Sequence, residues 1–396
     1  MISPQKQRRN RLLTLPRMTL ALIHLVAAPK LQGAVFGIKR AWSDLGLDVT
    51  EMPVKSTLCE ARQEVSYRYY QDAYHDQVKA VGVHLPHFRG LKIYATDGDQ
   101  LELPASQDVL DHGYRGYPCK DNKETHYPRL YYTAKVEVFS GITVDVEYAP
   151  ENQECQSAVK MAKRTESASL TIYDRLHFSL ALARAHQDSS SYYLARCKDG
   201  ERVLSELQEF NRTGRRAKRV LVDGLWVRFL RIKNPRTNEW MVVATNLPRH
   251  LFKPRELQWL YWRRYDIESV FRDLTSTHSL GIWHSMKMNG VLQEFFLHFW
   301  VHNAARFQAL ISGGIDVPAH EIEMKYRRPN FKLIREHLIS NIRLLVEKKV
   351  DRFRREIEDL IRRSMETRQW LTRTAPRQVK YTRNTYPSAS LVERRG

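Results

Sequence analysis

Cysteine is scarce in this chain. Four occur in 396 residues (Cys59, Cys119, Cys155 and Cys197), and no two form a Cys-x-x-Cys pair. That spacing excludes a disulfide framework as the organising device and speaks against structural zinc. It points to a reducing compartment, read here as the cytoplasm. No Gly-x-Gly-x-x-Gly or P-loop sequence is present, so no nucleotide cofactor is expected. His177, His278, His284 and His298 lack the paired spacing of metal-ligand histidines and read as core or surface residues. Long hydrophobic runs are also missing. Met18–Ala28 falls far short of the ~20 apolar residues that a membrane span needs. The basic QKQRRNR before it looks loosely like the start of a signal peptide, but a buried helix stopped by Pro29 is the expectation. Acids are outnumbered: 44 Asp and Glu against 64 Lys and Arg leave a net charge of +20, which favours a polyanionic partner.

What is present suffices for a sizeable core, with 42% apolar and 10% aromatic residues. Residues 1–88 read as helical and form a candidate DNA-binding domain. From Gly90 the texture changes to short β-type runs. LKIYATDG is one, 127–150 reads as a hairpin turning at Ser140-Gly141, LTIYD (170–174) reads as a strand buried on both faces, and YYLARC (192–197) follows. Residues 200–250 form a separate β-rich block. Helices are expected at about 255–276, 289–312, 330–348 and 351–371, followed by a basic tail. The implied division is 1–88, 89–199, 200–250, 251–312 and 313–396.

Three acids stand out by position. Asp97 sits at the expected end of a strand, just before a glycine. Asp174 ends LTIYD, and Glu268 lies inside the helical LQWLYWRRYDIESVFRDL. Taken singly they read as a turn residue, a helix N-cap and a surface residue. Taken together they suggest a site for a hard divalent cation, which takes carboxylate oxygens. At ~100° per residue, Tyr261, Arg264 and Glu268 fall within an arc of roughly 60°, with Thr275 on the same stripe.

These motifs, in chain order, resemble the DDE transposases of bacterial insertion sequences, specifically the IS-four group. The first Asp of that family precedes a Gly, as Asp97-Gly98 does here. The second opens a D-R-G-Y-like motif, matched by Asp174-Arg175-Leu176-His177. The Glu belongs to Y-x2-R-x3-E-x6-K, matched by Tyr261, Arg264 and Glu268 with Thr275 at the Lys position. RRNRLLTLPRMTLALIHL, STLCEARQEVSYRYYQ, VVATNLP, VHNAARF and RRPNFKLIREHL extend the likeness almost end to end. The resemblance implies an α/β fold with an RNase H-like catalytic core, a β-rich insertion between the second Asp and the Glu, a helical N-terminal domain and a helical C-terminal region. It implies two magnesium ions, replaceable by manganese, on Asp97, Asp174 and Glu268, and DNA substrates: terminal inverted repeats and target DNA. A homodimer on paired ends and, in some members, a hairpin intermediate are implied as well. A catalytically weakened inhibitor and an RNase H-fold nuclease are the alternatives.

Further DNA contacts are expected from residue type. Tyr261 and Arg264 suit phosphate contacts. RTGRRAKR supplies Arg215, Arg216, Lys218 and Arg219 for tracking a backbone, or else is a solvated loop. Trp226 and Trp240 could stack a flipped base, or else pack in the sheet. Leu176 and His177 in place of Gly and Tyr, and Thr275 in place of Lys, depart from the family pattern and bear on how DNA ends are positioned.

Overall fold

The computed structural model describes residues 12–27, 33–116, 127–198, 204–234, 239–313, 315 and 325–369. Cys119, Pro29 and the basic tail beyond 369 lie outside them.

The apolar run at the N-terminus forms helix α1 (Leu15–Ala27), buried almost continuously from Met18 to Val26. Helix α2 (Ala34–Asp44) lies against it. The close approach requires Gly37, because a Cβ there would stand 2.6 Å from the Ala21 carbonyl oxygen. His24 Nε2 meets Asp44 Oδ2 at 2.6 Å inside this pair. Helices α3 (Lys55–Gln63) and α4 (Arg68–Gly82) complete the first layer.

Alternating and β-branched sequences then build the sheet. Its strands are β1 (Lys92–Glu102), β2 (Arg129–Glu137), β3 (Thr143–Ala149), β4 (Ser169–Tyr173), β5 (Tyr192–Arg196), β6 (Ala217–Val222), β7 (Leu225–Lys233) and β8 (Trp240–Thr245). Helices α5 (Gln107–Asp111), α6 (Glu154–Lys163), α7 (Leu180–Asp188) and α8 (Ser205–Arg212) connect them. The order is β3-β2-β1-β4-β5-β8-β7-β6. β1, β4 and β5 run parallel, and every other pairing is antiparallel. The expected hairpin is present, turning through Gly141 at φ +71°.

The sheet departs from the sequence reading in two places. β1 runs on to Glu102, so Asp97 is mid-strand. Its ladder with β4 stops at Ala95 while that with β2 continues, which leaves the β4-facing edge open at Asp97. The block 200–250 is not separate: β8 pairs with β5, so β6–β8 extend the same sheet. A short strand such as β5 needs neighbours on both edges to satisfy its backbone, and β8 supplies the second.

Helices α9 (Pro254–Arg263) and α10 (Asp266–Arg272) and a π turn, Asp273–Thr277, replace the single helix expected at 255–276. Bonds of the i→i+3 type at Arg264, Tyr265 and Ile267 tighten the junction. The long α11 (Met288–Ile311) is buried on nearly all sides, and its Phe295, Phe296 and Phe299 form the centre of the core. The remainder comprises β9 (Lys325–Pro329), α12 (Phe331–Ser340), α13 (Ile342–Val346), α14 (Val350–Arg363) and β10 (Met365–Gln369). Residues 365–369 are thus a strand paired with β9, where helix was expected. Among the described residues no helix is long and apolar enough to cross a membrane.

The helical layer is fastened to the core by a buried ion pair. Arg62 of α3 reaches Glu294 of α11 at 2.9 Å, with side-chain exposures of 3% and 0%. Arg62 also donates to Gln293 and to the Gly290 carbonyl. Removing one member leaves the other charge buried, at a cost of about 3–5 kcal/mol. Glu294→Ala is therefore expected to lower stability by that amount in urea denaturation, and Arg62→Met with Glu294→Met to recover most of the loss. Equal stability of the single variant and the parent would show that the pair does not hold the layers together.

Candidate active site

The parallel register of β1 and β4 sets Ala95 opposite Ile172, so Asp97, two residues further along β1, and Asp174, just past the end of β4, emerge on the same side of the sheet. The two carboxylates feel each other: Asp174 is among the groups that act on Asp97. Burial pushes the Asp97 carboxyl up to about 6; Glu154 and Asp174 add to that rise, and Arg264 and His177 oppose it. Asp174 differs. Burial would raise it too, but the hydrogen bond and charge of His177, the Leu176 N–H and Arg264 hold it below the usual carboxylate range. Its Oδ1 accepts from the Leu176 N–H at 2.7 Å, closing an Asx turn rather than capping a helix; the N-cap of α7 is Ser179.

Across the sheet face, the tightened α9–α10 junction aims Arg264 at this pair. Its Nη1 donates to Asp97 Oδ2 at 2.9 Å, and Nη2 lies 3.9 Å from Glu268 Oε1. The guanidinium is 8% exposed, stacks over the Tyr265 ring at 4.5 Å, and keeps a buried Nε without a partner. Glu268 is more open, with 46% of its side chain exposed. Arg264, expected to grip phosphate, is thus the cation that joins Asp97 to Glu268. The Tyr261 ring is 2% exposed and packed in the core, with Arg264, Arg196 and Asp174 among the charges acting on its hydroxyl. Thr275 sits in the π turn, whose wider spacing breaks the strict 3.6-residue stripe, and its hydroxyl donates back to the Phe271 carbonyl at 2.9 Å.

Two further members of the cluster are Glu154, which no sequence pattern marked, and His177, noted only as core or surface and as a departure from the family motif. His177, read as core or surface, contacts Asp174 Oδ1 through Nδ1 at 2.7 Å and Glu154 Oε1 through Nε2 at 3.1 Å. Burial would lower its pKa, but the two carboxylates outweigh that and raise it to about 9. The residue replacing the family Tyr is therefore an imidazolium clamped between acids. Glu154, at the start of α6, also accepts from the Gly98 N–H at 3.1 Å. An Asp-x-x-His spacing was the available signal for His177. Glu154 lies 56 positions from Gly98 and had no local signal.

The remaining expected DNA contacts are spread out. Residues 212–219 are partly strand, with Lys218 and Arg219 on the edge strand β6. Lys218 pairs with Glu209 at 2.6 Å. Arg215 and Arg216 are exposed in the connection from α8. Trp226 and Trp240 are 52% and 53% exposed, so neither is ordinary core. Trp226 pairs across from Leu221 near the start of β7, and Trp240 across from Lys233 at its end. Seven residues of uninterrupted strand set them on opposite faces and ~23 Å apart along it. They do not converge on one base.

The chemistry of Asp97 and Asp174 suits a hard divalent cation: two neighbouring acids, one raised by burial that its cationic neighbours do not fully offset. Among the described residues, no three His, Cys, Asp or Glu side chains are grouped as a ready metal-ligand set. Arg264 instead lies between Asp97 and Glu268 and contacts both.

Fold and site together define an α/β protein with a carboxylate cluster where the parallel β1–β4 ladder ends. The chain belongs to the transposase DDE domain family, whose model matches residues 47–304. That span takes in Asp97, Asp174, Arg264 and Glu268. No curated protein sequence matches the chain. Among solved structures it is similar to the piggyBac transposase synaptic complex with hairpin DNA. The TM-score is 0.42 and the identity 12%, over 90% of this chain and 80% of that one.

Gly98 gives a test of the cluster. A Cβ there would meet the Glu154 carboxyl group at 2.6 Å, and that flexible side chain can swing away. Gly98→Ala is expected to fold with a stability loss of about 1 kcal/mol while expelling Glu154 from His177. The His177 imidazole pKa, followed by NMR, should then fall. An unchanged value would mean that Glu154 does not help to hold the imidazolium.

Proposed function

We propose that this transposase cuts DNA at the ends of an insertion sequence and joins the freed ends to target DNA by divalent-metal-assisted phosphodiester transfer. The observation that carries the reading is the Asp97–Asp174 pair, set side by side by the β1–β4 register inside the matched family span. Asp97 and Asp174, with Glu268 once Arg264 releases it, would hold the ions, magnesium or manganese. Such ions activate an attacking oxygen and offset charge on the transferring phosphoryl group.

The chain's own residues do the rest. In the first step water forms a bond to phosphorus and the bond to the 3′ oxygen breaks, leaving a 3′ hydroxyl and a 5′ phosphate. In the second that hydroxyl attacks a target phosphodiester and displaces another 3′ oxygen, so phosphodiester bonds are conserved. Arg264 carries a spare Nε and is the group placed to move from carboxylate to phosphate. His177 fixes the orientation of Asp174. The +20 charge supports a DNA partner, and paired ends call for two copies, hence a homodimer on DNA. Cytoplasmic action on a bacterial nucleoid belongs to the same proposal. Trp240 lies toward the catalytic end of the sheet but on the face opposite the acids, and Trp226 shares their face toward the other end, so neither is placed to stack a base beside them; Arg215, Arg216 and Arg219 suit the flanking backbone.

Nicking and joining of a labelled terminal-repeat duplex test this directly. Asp97→Ala, Asp174→Ala or Glu268→Ala should each abolish cleavage. Asp97→Ala should bind DNA at least as well as the parent, because it frees Arg264 and removes a negative charge. Cleavage that survives loss of Asp97 and Asp174 would end the mechanism. Products that are cut and never joined would favour a nuclease, and magnesium-independent binding without cutting by the parent would favour an inhibitor.

Thr275→Lys provides a separate test. It restores the family residue and removes a back-bonding hydroxyl from the π turn. The expected result is tighter end binding or faster cleavage. A loss of both would show that the π turn holds this segment out of the family register.

A further inference from the structure

The ladder between β1 and β4 ends at Ala95 and Ile172, two residues short of Asp97 and Asp174. Backbone hydrogen bonds fix the spacing of neighbouring strands only while a ladder lasts. Beyond that point the gap between the two acids depends on side chains. Arg264 holds Asp97 Oδ2 from the α9–α10 side at 2.9 Å. Helix α6 meets the gap from its own side.

The first two residues of α6 reach both edges of the gap. Glu154 Oε1 accepts from the Gly98 N–H on β1 at 3.1 Å, a donor it shares with Asp97 Oδ1, also at 3.1 Å. The same Glu154 oxygen stands 3.1 Å from His177 Nε2, an ion pair rather than an aligned hydrogen bond. The other ring nitrogen, Nδ1, holds Asp174 Oδ1 at 2.7 Å. Cys155 adds a second contact to this turn, its thiol donating to the Leu176 carbonyl at 3.4 Å. One carboxylate oxygen therefore ties the backbone beside Asp97 to the imidazole that carries Asp174.

The helix that supplies this oxygen is itself braced. At its far end Arg164 Nε and Nη2 donate to Asp145 Oδ2 and Oδ1, both at 2.7 Å, and Nη2 lies 2.6 Å from Glu147 Oε1. Both acids belong to β3. Ala158, Met161 and Ala162 are fully buried along its packed face. A supporting group on a packed helix holds geometry more closely than one on a loop.

We propose that Glu154 is a positioning residue that spans β1 and the Asp174 turn and sets the distance between Asp97 and Asp174. The inference rests on the metal-assisted reaction proposed above and adds to it the side chain that holds the two acids apart. The role needs reach and an acceptor oxygen rather than charge. Glutamine keeps both, and its amide N–H can donate to an Nε2 that has lost its proton. Aspartate keeps the charge but is one methylene shorter, and alanine keeps neither. Glu154 is 16% exposed and lines an open pocket with Thr133 and Ser157, so its truncation admits water instead of leaving a void.

The test uses the full-length protein without DNA. Manganese(II) chloride is the probe, followed by electron paramagnetic resonance, and crystal structures of the metal-free parent and variants report the separation of the two carboxyl groups. In Glu154→Ala and Glu154→Asp that separation should change by about 1 Å or more. Manganese should bind both variants about 10–100-fold more weakly than the parent. Glu154→Gln should keep the parent separation and an affinity close to the parent's. Glu154→Asp, the smaller change, decides the matter if the alanine variant does not fold. A parent-like separation in the shortened variants overturns the proposal. So does a Glu154→Gln protein that keeps the separation yet loses manganese, because the charge of Glu154 and not its reach is then what counts. A parent that binds no manganese removes the metal-assisted reaction, and the separation in the metal-free crystals then decides for or against the positioning role alone.

Discussion

Everything at the site follows from placing two carboxylates side by side where water is scarce. The parallel β1–β4 register fixes that placement, and like charges so close raise each other's cost unless cations stand against them. Two cations do. Arg264 takes Asp97, and His177, itself held by Glu154, takes Asp174. The division leaves the two acids unlike: Asp97 is pushed up to about 6, and Asp174 is held low. An unevenly compensated pair is a place where a further cation is electrostatically welcome.

The same constraint explains why the third acid is loose. Glu268 is tethered through Arg264 at 3.9 Å and is nearly half exposed. Its segment begins at a tightened junction and ends in a π turn, two irregularities within one stretch of helix. Such turns tend to mark functional hinges. On the proposed mechanism, movement of Arg264 toward a phosphate and movement of Glu268 toward Asp97 would be one exchange: the guanidinium would leave as a new cation arrived, and the acid it held would be released. Substrate phosphate and divalent ion would thus favour each other's binding.

The sequence disclosed the acids and the helix better than their surroundings. Asp97 and Asp174 were legible because hydrophobic strands carry acids for a reason, and Arg264 and Glu268 because three- and four-residue spacing survives even across the α9–α10 junction. The end of β1 was not legible, since strand continuation past Asp97 depends on β2, a partner about forty residues away in register. Nor was the joining of β8 to β5, a backbone pairing that no side-chain pattern announces. Trp226 and Trp240 looked alike as aromatic letters in a β-rich block. Register alone sets them on opposite faces, and a shift of one residue would have reversed that outcome.

Extension of the sheet is what ties the block 200–250 to the acids. Because β8 pairs with β5 and β7 with β8, the position of that block relative to Asp97 is set by hydrogen-bonded strand spacing rather than by a linker. The face that the block shares with the acids is closed: Leu230, Ile232 and Val243 pack with Ile172 and Leu194 in one core cluster that also holds Leu257 and Leu260 of α9. A DNA partner of the proposed kind would therefore meet this sheet at the open end where Asp97 and Asp174 lie and not across its covered face.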